Sequence, residues 1–304
     1  MPAKKMHSNE INCDVSLVRR LLAVQFPQWA GLPLAPVPSA GTDNALYRLG
    51  NEMVVRLPRI DWAVGQVEKE QRWLPQLAPR LPLAIPVPLA KGVPGAGYPW
   101  HWSVYRWLEG ENATLERLAD MRETAVTLAH FITTLQQIDP TGGPPPGEHN
   151  SGRGVPLAER DGQTRQAIAT LEGLIDTKAA TAAWEIALEA PVWTGPPVWL
   201  HGDLQSGNLL AVERVLTAVI DFGCLGVGDP ACDLMVAWNL FSGEARQAFR
   251  AALAVDEASW ARGRGWALSV GLIALPYYHQ TNPVLASIAR FAIHQVLADL
   301  QDPA

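Results

Sequence analysis

The stretch "HGDLQSGNLL", residues 201–210, sets His201, Asp203 and Asn208 in a glycine-containing turn. After it, the apolar runs "NLLAV" and "LTAVI" bracket "ER" and predict a β-hairpin that would bring Asn208 close to Asp221. An amide oxygen and a carboxylate held together form a hard-oxygen half-site of the kind that Mg²⁺ takes. Asp203 is then left to accept a proton from a hydroxyl group. A metal clamp and a positioned base are the parts that phosphoryl transfer requires. The alternative is a hairpin whose polar turns have no chemical role.

These motifs resemble those of a known family. "HGDLQSGN" resembles the H-G-D-x-x-x-x-N catalytic loop of the aminoglycoside phosphotransferase and choline kinase-like family, and "IDFG" resembles its metal-binding motif. The longer "IDFGCLGVGDPACDLMVAW" resembles the bacterial antibiotic phosphotransferase branch, in which the residue after I-D-F-G is commonly acidic rather than Cys224. The resemblance implies that Asp203 is the catalytic base and that Asn208 and Asp221 are Mg²⁺ ligands. His201 is expected to brace the loop by hydrogen bonding.

The resemblance also implies a cation on the third strand that meets the nucleotide phosphates, and a glutamate on the next helix that holds it. "MVVRLP" offers Arg56 in place of the usual lysine, and a guanidinium can grip phosphate in a bidentate manner. An ordinary edge-strand arginine is the alternative. Glu68 and Glu70 lie about 200° apart on a helix, so only one can face Arg56. Glu70 is preferred because it shares the inward face with Leu74 and Leu77.

The segment "SAGTDNALYRL", residues 39–49, lies where such kinases place the loop over the nucleotide phosphates. Backbone and hydroxyl donors there could bind phosphate, although no G-x-G-x-x-G is present and a plain β-turn is an alternative. The candidate nucleotide-binding residues of this segment are Ser39, Gly41, Thr42 and Asn44.

The segment "SVYRWLEGE", residues 103–111, would connect two lobes, and extended backbone at such a hinge normally hydrogen-bonds adenine. The candidates by position are Tyr105, Arg106 and Trp107. Their side chains could instead belong to an aromatic strand of the core.

The elements that must position these residues change in character along the chain. The first part reads as a helix and short β-prone runs, and the second part is mostly helical. The predicted elements are a helix at 14–26, a hairpin at 44–58, a helix at 64–77, two strands before 108, and helices at 118–135, at 164–190 and from 233 onward. The Pro/Gly-rich segment 139–154 is too long for a simple connection, and such loops are usually functional or mobile.

Together with the resemblance, this order predicts an α+β, two-lobed, protein-kinase-like fold. A small N-lobe with an antiparallel sheet (1–105) would bind nucleotide, a hinge would follow at 106–111, and a larger helical C-lobe (112–304) would hold the catalytic loop and the acceptor site.

Composition and charge limit the classes of partner that this protein is expected to bind. The net charge is −6 and no Lys- or Arg-rich run follows the first few residues, so nucleic acid is not expected as a partner. Three cysteines without metal-ligand spacing indicate a reduced, cytoplasmic protein. No secretory signal and no run of 18 apolar residues is seen, so no membrane span is expected. We expect a monomer or homodimer.

The expected reaction is Mg²⁺-dependent transfer of the γ-phosphoryl group of ATP or GTP to a hydroxyl of an aminoglycoside-like or related small molecule, a reaction associated with antibiotic resistance. An aminoglycoside would need acidic residues to meet its ammonium groups, and the available residues are Glu148, Glu159, Asp161 and Glu172. A macrolide acceptor, a metabolic kinase for a sugar or amino alcohol, and a non-catalytic nucleotide-binding pseudokinase are the alternatives.

Overall fold

The computed structural model describes residues 10–39, 41 and 43–301. Its first helix, α1 (Val15–Gln25), begins where the sequence predicts, because the Asp14 carboxylate caps it by accepting from the Leu17 N–H at 2.7 Å. One face of α1 is buried in an apolar cluster that also contains Val55 and Trp102 of the adjacent sheet. This packing gives the first part of the chain its own core.

The sheet of this part is antiparallel, with the order β1-β2-β3-β5-β4. Its strands are β1 (Leu34–Pro36), β2 (Asn44–Leu49), β3 (Met53–Pro58), β4 (Pro88–Gly92) and β5 (Trp102–Arg106). The predicted hairpin at 44–58 is therefore confirmed as β2–β3. In it Leu46 lies opposite Arg56, and Val55 and Leu57 on the β3 strand are buried.

The second helix, α2 (Val64–Leu77), packs near β4 and turns Glu70, Leu74 and Leu77 inward. Its Gln71 side chain donates to the Ala90 carbonyl (3.1 Å) and to Ser103 Oγ (3.0 Å), which ties the helix to β4 and β5. The predicted helical face is confirmed, since the residues four and seven positions after Glu70 are buried with it.

The second part of the chain is helical. Its helices are α3 (Met121–Gln137), α4 (Asp161–Thr170), α5 (Thr177–Leu188), α6 (Val236–Asn239), α7 (Gly243–Leu253), α8 (Glu257–Tyr278) and α9 (Pro283–Gln301). The long α8 packs against α4, α5 and α9. The α+β fold with an antiparallel sheet first and helices second is confirmed.

Short strands lie between the helices and frame the candidate site. They are β6 (Glu111–Asn112), β7 (Val198–Leu200), β8 (Leu209–Val212), β9 (Val215–Val219) and β10 (Gly226–Gly228). Strand β7 pairs antiparallel with β10, and β8 lies between β6 and β9. The turn from β8 to β9 uses Glu213 (φ +49°) and Arg214 (φ +68°) in the left-handed region, as in a tight hairpin turn. The hairpin predicted after Asn208 is confirmed.

Within the described residues the chain forms two compact units. The first holds the chain up to Gly110 together with Ala218–Gly223, and the second holds Glu111–Thr217 and the chain from Cys224 onward. The "IDFG" segment thus belongs to the first unit, although the sequence placed it in the C-lobe. Strand β9 runs from one unit into the other.

Two sequence expectations concerned the state of the cysteines and the presence of membrane-spanning segments. Cys13, Cys224 and Cys232 are buried and form no disulfide among themselves. Among the described residues, one helical stretch, Pro283–Leu300, is long and apolar enough to span a membrane by length and composition alone, with a mean hydropathy of 1.2. This helix packs against α8 through Ile293, which lies beside Gly271.

Candidate active site

The predicted catalytic loop begins where β7 ends and is shaped by backbone hydrogen bonds. The Asp203 N–H donates to Nδ1 of the fully buried His201 at 3.1 Å. Gly202 between them has φ +81°, and a Cβ at that position would lie 2.7 Å from the Cys224 carbonyl oxygen. The histidine therefore braces the loop, as predicted, and the glycine is required by both conformation and space.

Asp233 fixes the start of this loop. Its two carboxylate oxygens accept from the His201 N–H (2.8 Å) and the Gly202 N–H (2.7 Å). Burial raises the pKa of Asp233 to about 6, and the two backbone N–H groups oppose that shift. Asp229 caps the helical turn Pro230–Met235 through the Ala231 N–H and pairs with Arg262 at 2.8 Å. Asp229 is thus a helix cap, and Asp233 braces the start of the predicted catalytic loop.

Asn208 orients the predicted base. Its side-chain Nδ2 donates to the Asp203 carboxylate (Oδ2, 2.9 Å) and to the Asp203 carbonyl (2.8 Å). Because the amide nitrogen is committed to Asp203, the amide oxygen is turned away from it. The side chain is 7% exposed, so this orientation is well fixed.

Arg56 occupies the centre of a second cluster, in the first unit. Its Nη1 donates to Glu70 Oε1 at 2.6 Å, and its Nη2 donates to Asp221 Oδ1 at 2.8 Å and to Gln66 Oε1 at 3.1 Å. With its amide oxygen assigned toward Arg56 from the hydrogen-bonding network, Asn44 accepts from Nη2 at 2.9 Å. Burial lowers the pKa of Arg56, but Glu70 and Asp221 raise it more, so the net shift is upward. The guanidinium therefore stays charged.

The structure shows which of Glu68 and Glu70 pairs with Arg56. The Glu70 side chain is 2% exposed and also accepts from the Tyr105 hydroxyl. Glu68 is half exposed and pairs with Lys91 (2.8 Å) and His101 (2.7 Å). The geometry places Glu70, not Glu68, on Arg56, as the helical-face argument predicted.

Asp221 lies in a strained turn. Its φ is +63°, in the left-handed region that an aspartate tolerates better than most residues. The turn is held from α2, because Lys69 Nζ donates to the Gly223 carbonyl at 2.7 Å and the Gln66 side chain fills the space beside Gly223. The Asp221 carboxylate is 44% exposed, which leaves it accessible to ions.

The backbone N–H groups of two predicted hinge residues already donate hydrogen bonds within the protein. The Arg106 N–H donates to the Val87 carbonyl (3.0 Å) and the Trp107 N–H donates to the Glu52 carbonyl (2.7 Å). The Tyr105 side chain lies in the core on Glu70. These residues therefore extend the sheet, and the amides of Arg106 and Trp107 are not available to a base in this arrangement.

The predicted phosphate loop is only partly described. Ser39 and Gly41 are exposed, and Ser39 Oγ accepts from the Gly41 N–H at 3.0 Å in a local turn. Thr42 lies outside the described residues. Asn44 is on β2 beside Arg56, so it belongs to the arginine cluster.

Sequence reasoning missed three residues of these clusters. Gln66 could have been found, because it precedes Glu70 by four positions on the same helical face. Lys69 carried no such signal. Arg153 donates through Nε to the Gly202 carbonyl at 2.6 Å, and its Nη2 lies 3.9 Å from Asp203 Oδ1. Its only hint was the unusual length of segment 139–154.

The donor set suits magnesium. Within the described residues no group of three or more His, Cys, Asp or Glu side chains could hold a metal. A site made of Asn208 and Asp221 would not form such a group, since one ligand is an amide. Both donors are hard oxygens, which Mg²⁺ accepts together with phosphate and water oxygens. Asn208 belongs to the second unit and Asp221 to the first, so their joint coordination of a metal stays a prediction.

The structure thus shows a braced H-G-D loop and an arginine of the antiparallel sheet paired with a glutamate of α2, the features that the sequence resemblance predicted. The phosphotransferase enzyme family model (APH) matches residues 35–266, so the chain belongs to that family and is a phosphotransferase. No curated protein sequence matches the chain closely enough to be informative.

Solved structures share the fold. The GDP complex of wild-type aminoglycoside 2′-phosphotransferase-IIIa aligns at 17% identity and TM-score 0.72, over 95% of this chain and 100% of that one. The streptomycin–ATP–APH(2″)-IIa ternary complex aligns at 20% identity and TM-score 0.59, over 86% and 91%. The macrolide 2′-phosphotransferase MphH from Brachybacterium faecium aligns at 23% identity and TM-score 0.60, over 92% and 97%. At these identities the likeness is one of fold.

Proposed function

We propose that this phosphotransferase moves the γ-phosphoryl group of ATP or GTP to a hydroxyl group of a small molecule. The observation that carries the proposal is the arrangement of Asp203, whose N–H is held by His201 and whose carboxylate is oriented by Asn208. Such a carboxylate, partly exposed and fixed in direction, suits a base that receives a hydroxyl proton.

Every bond that forms or breaks in the proposed reaction can be accounted for. The acceptor oxygen forms a bond to the γ-phosphorus while the bond from that phosphorus to the β,γ-bridging oxygen breaks. The hydroxyl proton passes to Asp203, and the nucleoside diphosphate leaves with the bonding electron pair. Arg56 would neutralise charge on the phosphates. Mg²⁺, when held by Asn208 and Asp221, would supply further charge neutralisation on the phosphate oxygens.

We propose an aminoglycoside-like or related acceptor, because the similar structures include aminoglycoside and macrolide phosphotransferases. Of the four acidic candidates for ammonium groups, Asp161 is engaged by Trp184 Nε1 (2.7 Å) and Arg165 (2.8 Å). Glu148, Glu159 and Glu172 are exposed. These three are the carboxylates that remain for a cationic acceptor.

The test is nucleoside diphosphate release with ATP or GTP and Mg²⁺ over a panel of aminoglycosides, macrolides, sugars and amino alcohols. We expect acceptor-dependent release that Asp203→Asn lowers by about 10²–10⁴-fold, the usual contribution of a general base. Asp176→Asn is the matched control: Asp176 is an exposed cap of α5, and Asn caps helices equally well. An enzyme that uses only sugars or amino alcohols is a metabolic kinase. Nucleotide binding without turnover of any acceptor would indicate a pseudokinase.

A further inference from the structure

The Pro/Gly-rich segment 139–154 is firmly attached along its length. Trp199 Nε1 donates to the Asp139 carbonyl (3.0 Å), the Val227 N–H to the Pro144 carbonyl (2.9 Å), and the Asp229 N–H to the Gly154 carbonyl (3.0 Å). These bonds tie the segment to β7 and β10 and to the residue after β10. Of the two possibilities raised by its length, function or mobility, the bonds favour function.

The end of this segment fixes the backbone of one arginine. Asn150 is fully buried, and its amide accepts from the Gly147 N–H (3.0 Å) while donating to the Arg153 carbonyl (3.1 Å). The Arg153 N–H donates back to the Asn150 carbonyl at 3.1 Å. Beyond Arg153 the chain is held equally tightly, since a Cβ on Gly154 would lie 2.6 Å from Leu200 Cδ1. The Arg153 side chain therefore leaves from a rigid base.

The Arg153 guanidinium meets the catalytic loop at two points. Its Nε donates to the Gly202 carbonyl at 2.6 Å, and Nη2 lies 3.9 Å from Asp203 Oδ1. The Gly202 N–H donates to the Asp233 carboxylate. Both backbone polar groups of Gly202 are therefore hydrogen-bonded to charged side chains, the N–H to Asp233 and the C=O to Arg153. Asp203 itself has a cation near Oδ1 and the Asn208 amide on Oδ2. The two oxygens of this carboxylate therefore have different neighbours, a cation 3.9 Å from Oδ1 and an amide donor 2.9 Å from Oδ2.

Building on the proposed function, we propose that Arg153 is a positioning residue for phosphoryl transfer, which sets the direction of the Asp203 carboxylate and the path of the loop before it. A neutral donor could satisfy the Gly202 carbonyl alone. A buried cation there also interacts with the carboxylates of Asp203 and Asp233, and of these two Asp203 is the predicted base. Displacement of a reacting group by about 1 Å can cost about 100-fold in rate, so the position of this carboxylate matters.

A matched control exists in the same unit. Arg160 is also buried and lies over the Trp266 ring at 4.6 Å, where Arg153 lies at 5.9 Å. Arg160 donates to Ser269 Oγ (3.0 Å) and to the carbonyl of Ser151 in segment 139–154 (3.3 Å), and neither acceptor is in the catalytic loop. Removing either guanidinium disturbs comparable packing, but only Arg153 contacts Gly202 and Asp203.

The experiment measures kcat, the KM values of nucleotide and acceptor, and Tm for Arg153→Met, Arg153→Lys and Arg160→Met, with the best acceptor of the panel. We expect Arg153→Met to lower kcat about 100-fold with both KM values within about threefold of wild type. Arg153→Lys keeps a charged donor and should recover about tenfold of that loss, scaling from the same misplacement cost. Arg160→Met should lower Tm and leave kcat within about threefold.

Two results would overturn the inference: a kcat of Arg153→Met within about threefold of wild type, or an equal kcat loss in Arg160→Met. If no panel member is turned over, the same variants are compared in nucleoside triphosphate hydrolysis, in which water replaces the acceptor hydroxyl. A wild type inactive in both assays removes the proposed function and the inference together. An active wild type with an undiminished Arg153→Met removes the inference alone.

Discussion

The buried pair of Arg56 and Glu70 allows a sharp test of the nucleotide-side cluster. The Arg56 side chain is 13% exposed and that of Glu70 is 2% exposed, with 2.6 Å between Nη1 and Oε1. Arg56→Met leaves the Glu70 carboxylate buried without its cation, and such a loss costs about 3–5 kcal/mol. That is a large part of the 5–15 kcal/mol by which domains are typically stable. We expect the urea midpoint of unfolding to fall accordingly.

The reverse change should be milder. Glu70→Met leaves Arg56 paired with Asp221, whose carboxylate is 44% exposed and can be hydrated. We expect a cost of about 1–3 kcal/mol, the usual price of leaving one buried polar group poorly satisfied. The double variant removes both charges and replaces them with apolar side chains of similar volume. Such replacements of buried pairs are often neutral, so the double variant should be more stable than Arg56→Met alone.

The assay is a double-mutant cycle in urea at constant m, with Glu68→Met as the control. Glu68 and Lys91 form an exposed pair, so this control should cost under about 1 kcal/mol. Nucleotide binding separates stability from function. The double variant should be folded and stable, but without the Arg56 cation it should bind ATP and GTP only weakly. Costs of Arg56→Met and Glu70→Met that add within about 0.5 kcal/mol would refute the claim that the two side chains form a coupled buried pair.

Three further predictions concern the catalytic loop and the metal. Gly202→Ala should cost about 1–3 kcal/mol in strain and abolish most activity. Gly207→Ala should be tolerated, because its Cβ would meet only the Gln205 side chain, no nearer than 3.6 Å; equal stability and turnover of the two variants would contradict this. Burial raises the pKa of Asp233 from 3.8 to about 6. The folded state therefore binds the proton more tightly, and stability present at low pH is lost as pH rises through 6. The stability of wild type relative to Asp233→Asn should fall by up to about 3 kcal/mol between pH 4 and pH 7, and a pH-independent difference in denaturant titrations would be the contrary result. Asn208→Ala and Asp221→Ala should each raise the Mg²⁺ concentration for half-maximal turnover about tenfold or more, and an unchanged Mg²⁺ titration would exclude that variant's residue as a ligand.

Features that depend on local periodicity were predictable from the sequence. The face of α2 that carries Glu70 follows from the apolar residues four and seven positions later, and the same reasoning left Glu68 exposed. The hairpins at β2–β3 and β8–β9 follow from β-prone runs around short polar turns. The brace role of His201 was implied by the resemblance of the loop, and its partner is the N–H of Asp203 two residues later. In each case the partners are near in sequence.

Features that depend on distant pairing were not predictable. Arg153 and Gly202 are 49 positions apart, and Asp233 reaches Gly202 from 31 positions away. Nothing in the local pattern of either partner specifies the other. The same holds for the hinge, where the Arg106 and Trp107 amides are consumed by the carbonyls of Val87 and Glu52. Donors that look available from sequence are committed once the register of β5 with its neighbours is set.

The residues of "HGDLQSGN" differ in what a substitution at each would disrupt. Gly202 has no side chain because the Cys224 carbonyl would lie 2.7 Å from a Cβ, and Arg153 Cγ would lie 3.1 Å from it. A glycine there lets the backbone pass close enough for both Asp233 and Arg153 to grip Gly202. The direction of the Asp203 carboxylate then depends on groups outside the motif, one of them, Arg153, on the Pro/Gly-rich segment 139–154. A chain with the motif intact but with segment 139–154 altered would keep every predicted catalytic residue and still misdirect the base. The Arg153 variants separate these two contributions.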